Sequence, residues 1–239
     1  MYPKTYYAAT RRARSHQSAL KQSTQARVAI VGGGYAAVAA ALGLALRGMR
    51  DVILLDAEEI GFGASGRNGG WCSALLPMGF AAMAATHGRD GAIRMQQAMN
   101  ATVDEVGAAA AREGIDCHFA KGGTFRAARN PAHIGRLQAE VAEYRAHGFG
   151  EDDVRWVDRD EARQIIAATH LEGGMFTPHC AAIHPGRLVR GLADVVEASG
   201  VQIFERSRVT AIAPNRIATA HGSARAAHAS GRSTHCPPM

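Results

Sequence analysis

The stretch RVAIVGGGYAAVAAALGLALRGMRDVILLD, from Arg27 to Asp56, decides the fold. It begins with a short apolar run, turns through three consecutive glycines, continues as a helix-forming segment from Ala36 to Leu46 and ends in a second apolar run. Strand, glycine turn, helix and strand within about 30 residues form the unit from which parallel α/β sheets are built. The stretch therefore predicts an α/β fold that begins with a Rossmann-like dinucleotide-binding domain.

The glycine turn matches the pattern G-x-G-x-x-G/A, with Gly32 and Gly34 in the first two places and Ala37 in the third. The first glycine permits the tight turn, and the second lets the backbone approach a pyrophosphate. The N-terminus of the following helix presents free N–H groups and a partial positive charge to the phosphates. Ala37 still allows close packing of the helix against the strand. We therefore interpret the turn as a dinucleotide site.

An acidic residue, Asp56, ends the second apolar run, 22 positions after Gly34. At such a position a carboxylate accepts hydrogen bonds from the ribose hydroxyls of the adenosine. It also argues against a ribose that carries a 2′-phosphate. The alternative interpretation is a chance glycine turn in an α/β protein, followed by a surface aspartate.

A glycine-rich loop follows, at the point where a nicotinamide-binding domain normally continues with another helix and strand. Its sequence is GFGASGRNGG, from Gly61 to Gly70, and it carries Ser65, Arg67 and Asn68 among five glycines. Such a loop can offer several backbone donors and one cation to a second stretch of a long ligand, as FAD requires. Two alternatives stay open: a flexible linker, and an NAD(P)-dependent Rossmann dehydrogenase.

The bulk composition is that of a globular protein. The 239 residues are 47% hydrophobic with a formal charge of +6, but the basic residues are dispersed and the dense cluster is Arg11, Arg12 and Arg14. We interpret that cluster as a solvated tail and expect no nucleic-acid partner. No C-x-x-C pair occurs, and no apolar run approaches the roughly 18 residues of a membrane span. The sequence therefore favours a cytoplasmic protein and does not indicate an oligomeric state.

Hydrophobic patterning divides the chain into five parts. Beyond the opening stretch, helices are predicted at Asp90–Glu113, Pro131–His147, Asp158–Ile166 and Pro185–Ser199, and strands at Thr124–Ala127, Gly174–Thr177, Val201–Phe204 and Arg208–Ile212. The predicted parts are an N-terminal arm at 1–26, segments at 27–115, 116–184 and 185–215, and an aberrant tail at 216–239.

At these residues the sequence resembles the FAD-dependent oxidoreductases of the D-amino-acid oxidase, glycine oxidase and sarcosine oxidase group, and within it the gamma-glutamylputrescine oxidoreductases. The resemblance spans about residues 5–225, and the run ASGRNGG is its most specific part. The other matching pieces are YYAAT at Tyr6–Thr10, the glycine turn, and FTPHCAAIHP at Phe176–Pro185.

This resemblance implies a domain assignment, a reaction and a set of cofactor contacts. It makes residues 27–115 the first part of a Rossmann-like FAD-binding domain of the glutathione-reductase type, residues 116–184 part of an α+β substrate domain, and residues 185–215 a return to the FAD-binding domain. The family breaks the C–H bond next to the nitrogen of a small-molecule amine, passes hydride to the flavin, and leaves an imine that water hydrolyses. Reoxidation of the flavin by oxygen gives peroxide. The residues implied to contact FAD are Gly32, Gly34, Ala37, Asp56, Ser65, Gly66, Arg67, Asn68, Gly69 and Gly70, with the backbone of Val209 beside the adenine.

The end of the chain departs from the family pattern, because members of the family are about twice as long and return to the flavin through further strands. From residue 216 onward, Ile217 and Met239 are the only large aliphatic residues, so we expect a disordered tail. The segment from Ala229 to the end is typical of a shifted reading frame or a broken gene. We therefore expect an incomplete, C-terminally truncated enzyme.

No catalytic residue and no metal site are predicted. His170, His179, Cys180 and His184 lie within fifteen residues, but their spacing fits no common ligand pattern, and strand or turn positions near the flavin are the alternative. Three functions remain open: a flavin-dependent amine oxidoreductase, a truncated remnant that at most binds FAD, and an NAD(P)-dependent dehydrogenase.

Overall fold

The structure, a computed structural model, describes residues 5–11, 13–14 and 17–231. In chain order its helices are α1 (Tyr6–Thr10), α2 (Tyr35–Leu46), a 3-10 turn (Ala64–Gly66), α3 (Phe80–His87), α4 (Arg89–Arg112), α5 (Pro131–Ala146), α6 (Arg159–Ile165) and α7 (Pro185–Ala198). The strands are β1 (Ser23–Val31), β2 (Val52–Leu55), β3 (Trp71–Ser73), β4 (Ala120–Lys121), β5 (Thr124–Ala128), β6 (Arg155–Val157), β7 (Gly173–Thr177), β8 (Cys180–Ala182), β9 (Gln202–Phe204), β10 (Val209–Ala213), β11 (Arg216–Thr219) and β12 (Ser223–Gly231).

These residues divide into two compact units. The first draws on the described chain up to Gly70, on Ala110–Cys117 and on the chain from His184 onward, whereas the second comprises Trp71–Ala109 and His118–Ile183. The segment 71–109, which the sequence analysis assigned to the cofactor domain, therefore lies in the second unit.

The first unit is built around a sheet with the strand order β10, β11, β12, β1, β2, β9. Strand β1 pairs in parallel with β2 on one side and with β12 on the other, so that Val28 lies opposite both Val52 and His228. Strand β9 continues the parallel arrangement beside β2, whereas β10 and β11 are antiparallel. The α/β fold predicted from the opening stretch is confirmed.

Apolar side chains of β1 and β2 enter two separate clusters. Val28, Ile30 and Leu54 pack with the inner faces of α2 and α7, whereas Ala29 and Ile53 join a cluster with residues of β11 and β12. Since successive side chains of a strand point to opposite faces, both faces of β2 are covered. A strand buried on both faces is an uninterrupted apolar run, and that is the pattern that the sequence analysis detected.

The disordered tail predicted for 216–239 is wrong for residues 216–231. This segment forms β11 and β12, and β12 pairs with β1 along its length, from Ser23 opposite Ser223 to Val31 opposite Gly231. Pairing uses backbone groups, which require no large side chain, and small residues such as Ala224 and Ala226 are buried. Residues 232–239 lie outside the described residues.

The N-terminal arm also differs from its prediction as a solvated basic tail. The side chain of Arg14 is only 3% exposed and contacts three carboxylates, and Leu20 is buried. Arg11 pairs with Glu59 at 3.2 Å, while Arg12 lies outside the described residues. A cluster of arginines in a sequence does not indicate whether carboxylates from distant segments will surround it.

The second unit contains two small antiparallel sheets, with strand orders β3, β8, β4 and β5, β7, β6, together with α3, α5, α6 and most of α4. Two of its helices begin at side-chain caps: Asn130 accepts the N–H of His133 before α5, and Asp158 accepts two N–H groups before α6. Across the described ranges, no helix combines the length and the apolar character that a membrane crossing requires.

Candidate cofactor site

The glycine turn lies between the end of β1 and the start of α2. Gly32 has a φ of +111°, a conformation that side chains disfavour, and its N–H donates to the carbonyl of Leu55 at 2.8 Å. Gly34 is the N-cap of α2 and offers no side chain of its own to the first helical N–H groups. The helix N-terminus is therefore presented at the ends of two adjacent parallel strands, where α/β proteins bind ligands.

The other two glycines of the turn are packed too closely to carry a side chain. A Cβ on Gly33 would lie 2.7 Å from Cδ1 of Ile60 and 2.8 Å from Oδ2 of Asp56, and a Cβ on Gly34 would lie 2.9 Å from Oγ of Ser65. Distances below 3.0 Å force a shift of the neighbouring atoms. The sequence therefore needs glycine at both positions for the turn to approach its neighbours.

The glycine-rich loop is fastened directly to this turn. The hydroxyl of Ser65 accepts the N–H of Tyr35 at 3.0 Å, which satisfies one of the open donors in the first turn of α2. The N–H of Gly61 donates to the carbonyl of Gly33 at 3.1 Å. The structure thus brings together two segments that the sequence analysis assigned to one ligand.

Asp56 follows the last residue of β2 and is half-buried beside the turn. Its Oδ1 accepts the N–H of Glu58 at 2.8 Å. Burial raises the pKa of the Asp56 carboxyl, and the nearby carboxylates of Glu205 and Glu58 raise it further, while hydrogen bonds from the N–H groups of Glu58 and Gly33 oppose this shift. The carboxylate lies at the carboxyl end of a parallel strand, as the ribose assignment requires.

The end of the loop is held mainly by its own side chains. The amide nitrogen of Asn68 donates to the carbonyls of Ala64 and Ser65, and its oxygen accepts the N–H of Gly70 at 2.9 Å. The exposed Arg67 donates to the carbonyl of Gly63 and lies over the ring of Phe62. Asn68 therefore shapes the loop, and its contact with FAD stays a prediction.

The remaining predicted contacts have different surroundings. Gly66 is buried in the 3-10 turn, and the carbonyl of Gly69 accepts the hydroxyl of Tyr7 at 3.4 Å. Ala37 packs against the cluster between α2 and the sheet. Val209 lies in β10 against the other cluster, two residues after Ser207, whose N–H donates to the carbonyl of Asp56.

Two residues that support the site were not predicted. Ile60 is fully buried and lies against Gly33, and Glu205 is fully buried and accepts the N–H of Ile60 at 2.9 Å. Glu205 follows β9 as Asp56 follows β2, and β9 and β2 are parallel neighbours. An acidic residue after an adjacent predicted strand was the available signal for Glu205.

These observations fit a dinucleotide. The turn has no side chains where phosphates would approach, a helix N-terminus faces them, and a carboxylate lies at the end of the neighbouring strand. The glycine-rich loop adds a second backbone segment bonded to the turn.

Two of the clustered histidines, His184 and His179, have structural partners. His184 caps α7 by accepting the N–H of Arg187 on Nδ1 at 3.1 Å, and its Nε2 lies 2.9 Å from the hydroxyl of Thr10. His179 pairs with Asp153 at 3.0 Å. Within the residues that the structure describes, no group of three or more His, Cys, Asp or Glu side chains is arranged to hold a metal.

The second unit contains a cavity of about 510 Å³ lined by residues of both charges and by aromatic rings. Its carboxylates are engaged, because Glu140 pairs with Arg126 at 2.5 Å and Glu143 accepts the N–H of Ala81 at 3.1 Å. Burial raises the pKa of the Tyr144 hydroxyl, with a contribution from Glu140.

Comparison with known proteins identifies the class to which the site belongs. Residues 27–232 match the family described as FAD dependent oxidoreductase (DAO). The chain belongs to this family, whose cofactor is FAD, and the predicted FAD-binding fold is confirmed. The nicotinamide alternative is thereby set aside.

Relatives and solved structures agree with this class. The chain is 31% identical over 221 residues to gamma-glutamylputrescine oxidoreductase of Escherichia coli. This alignment covers 91% of this chain and 51% of the relative. Glycine oxidase from Geobacillus kaustophilus has a TM-score of 0.71 at 24% identity, covering 88% of this chain and 55% of its own. L-amino acid deaminase from Proteus myxofaciens has a TM-score of 0.72 at 18% identity, and the match covers 92% of this chain and 47% of the deaminase chain. The chain spans about half the length of the curated relatives that it matches.

Proposed function

We propose that this chain holds FAD at the glycine turn and the glycine-rich loop, and that the protein to which it belongs oxidises an amine or an amino acid. Bound FAD supplies the acceptor for hydride from the C–H bond next to the substrate nitrogen. The curated relative named for gamma-glutamylputrescine and the structural neighbour named for glycine support this substrate class.

The observation that carries the cofactor assignment is the bond between the N–H of Tyr35 and the hydroxyl of Ser65. It joins the start of α2 to the glycine-rich loop, which supports one ligand held by both segments. In this proposal the turn at Gly32–Gly34 binds the pyrophosphate through backbone N–H groups and the helix dipole. Asp56 accepts the ribose hydroxyls, and the loop that ends at Gly70 contacts the flavin half.

A second proposal separates cofactor binding from turnover. The residues assigned to FAD all lie in the first unit, and no side chain is assigned to the proton or hydride step. In this second proposal the chain binds FAD without oxidising an amine. A yellow protein that releases no peroxide and reduces no dye with gamma-glutamylputrescine, glycine or sarcosine would favour this second function.

The cofactor assignment is tested by titrating the apoprotein with FAD and following flavin fluorescence. Gly34→Ala places a methyl group at 2.9 Å from the Ser65 hydroxyl and in the path of the pyrophosphate, so we expect FAD affinity to fall at least about tenfold. Gly43→Ala is the matched control, because Gly43 lies further along the same helix and its Cβ would meet only the end of the Arg47 side chain. Equal FAD affinity for both variants would refute the glycine-turn site.

A further inference from the structure

The described residues of the N-terminal arm from Thr5 to Leu20 precede β1, and from here on this part is called the arm. The match to the family begins only at residue 27, after the arm. The arm is nevertheless bonded to the segments that form the cofactor site. Tyr7 donates to the carbonyl of Gly69 in the glycine-rich loop, and Arg11 pairs with Glu59, three residues after Asp56. The arm therefore contacts both segments that follow the glycine turn.

Arg14 attaches the arm to the first unit through three carboxylates. Its guanidinium, 3% exposed, pairs with Asp194 at 2.8 Å, with Glu205 at 3.3 Å and with Glu197. A guanidinium presents its donors in a rigid planar fork, which suits several acceptors at once. The buried charge is thus matched by carboxylates from α7 and from the end of β9.

Glu205 transmits this attachment to the glycine turn. The same oxygen, Oε1, accepts from Arg14 and from the N–H of Ile60 at 2.9 Å, while Oε2 accepts the N–H of Gln17 at 2.9 Å. The side chain of Ile60 in turn lies against Gly33, leaving no room for a Cβ there. A continuous set of contacts thus leads from Arg14 through Glu205 and Ile60 to Gly33.

We propose that the N-terminal arm is a positioning element of the FAD site, in which Arg14 acts through Glu205 to fix the segment Asp56–Gly61 against the glycine turn. This inference rests on the proposed function for the identity of the ligand. Neither Arg14 nor Glu205 touches the ligand in this arrangement, so both are positioning residues.

The physical reason is the cost of removing a bonded cation from a buried carboxylate. Without Arg14, Glu205 retains two backbone N–H donors and the nearby charge of Arg190, but it loses the guanidinium bonded to Oε1. Its buried charge is then less fully compensated, which favours uptake of a proton or movement of the carboxylate toward water. Either change weakens the bond to the N–H of Ile60 and frees the segment that carries Asp56. A ligand that needs this segment in place then binds less tightly, because it must pay for ordering it.

The test compares Arg14→Gln with Arg163→Gln in the full chain. Arg163 is an exposed arginine of α6, so the control makes the same substitution where no buried carboxylate is involved. For Arg14→Gln we expect faster hydrogen exchange at the N–H of Ile60 and FAD binding about tenfold to a hundredfold weaker, the loss found when residues supporting a bound ion are removed. Both measurements are made well below the melting temperature, so that global unfolding does not contribute.

A double variant distinguishes positioning from a general loss of stability. Adding Glu205→Gln to Arg14→Gln removes the carboxylate charge while keeping an amide oxygen that can accept from Ile60. The amide NH2 cannot accept the N–H of Gln17, so the double variant loses that bond in the arm but keeps the one to the segment that carries Asp56. We expect the double variant to recover most of the Ile60 protection and FAD affinity that Arg14→Gln loses. The inference would be overturned if Arg14→Gln left the exchange rate at the N–H of Ile60 unchanged. It would also be overturned if Arg14→Gln bound FAD as tightly as the wild type while Gly34→Ala had lost FAD affinity.

Failure of the proposed function gives a different result. If the wild-type chain binds no FAD, or if Gly34→Ala binds FAD as tightly as wild type, the cofactor assignment fails. The exchange rate at Ile60 then decides by itself whether the arm positions the turn. If Arg14→Gln leaves that rate unchanged, the positioning role is refuted as well.

Discussion

Strands β2 and β12 occupy equivalent places on the two sides of β1, yet they are built from different residues. Both run parallel to β1, and both end beside the glycine turn, with Leu55 and Gly231 opposite Val31. All four residues of β2 are buried. In β12, Ala224 and Ala226 are buried, whereas Arg225 and His228 are exposed.

The difference shows that backbone pairing gives a strand its place, while apolar side chains determine how much that place contributes to stability. Burying a Val, Leu or Ile side chain contributes about 1.5–3 kcal/mol, and an alanine methyl group much less. Strand β2 should therefore hold the first unit together, and β12 should contribute chiefly hydrogen bonds to β1. Each strand can be tested by changing one side chain.

The largest effect is expected in β2. Leu54 is fully buried between the sheet, α2 and α7, so Leu54→Ala should lower the free energy of unfolding by about 2–5 kcal/mol through lost burial and the cavity it leaves. Ala226→Gly is the counterpart in β12, where one methyl group is lost and backbone freedom increases, at about 1 kcal/mol. Urea unfolding measures both values. Equal losses would show that β12 carries as much packing energy as β2.

The same contrast explains what could be predicted from the sequence. Helix α2 and strand β2 were predicted to within a residue or two, because an unbroken apolar run and a run of helix formers between glycines are local signals. Strand β1 begins at Ser23, four residues before the predicted Arg27, because its first residues alternate between exposed and half-buried positions beside β12. Strand β12 was missed because it lacks the apolar run that buried parallel strands show.

The candidate site divides in the same way. The glycine turn, Asp56 and the loop with Ser65 were predicted because close backbone approach and strand ends leave a pattern in a short stretch. Arg14 and Glu205 were not, because the two are 191 positions apart and only the folded chain brings them together. Their contact also makes the arm, which composition indicated as solvated, a part of the first unit.

An intermediate effect is expected at Asp56, the carboxylate with which β2 leads into the site. Asp56→Asn should weaken FAD binding by about 1.5–3 kcal/mol, because the ribose hydroxyls lose a charged acceptor. The same substitution should raise the stability of the folded chain at neutral pH. The pKa of Asp56 is raised in the folded chain, so its contribution to stability is greatest below the unfolded value of 3.8 and is lost as the pH rises through the folded value.

Thermal melts of Asp56→Asn and of the wild type at pH 3 and pH 7 measure this effect. The melting temperature of Asp56→Asn relative to that of the wild type should be higher at pH 7 than at pH 3, because the asparagine does not titrate. Fluorescence titration with FAD at pH 7 gives the binding loss in the same two proteins. A variant that binds FAD as tightly as the wild type would refute the ribose assignment and leave the stability argument standing.

The smallest effect is expected in β12, at His228. Its neighbour across the sheet is Val28, a buried residue on the face that α2 and α7 cover, but His228 itself is exposed. His228→Val would extend the apolar face of Val28 by one strand and add a β-branched residue, so we expect a gain of about 0.2–1 kcal/mol in the free energy of unfolding. Arg225→Val is the matched control, because its neighbour Gln25 is exposed and offers no apolar surface. Urea midpoints that shift equally for both variants would mean that intrinsic strand preference accounts for the gain, whereas a shift confined to His228→Val would show that β12 is limited by the side chains it lacks beside β1.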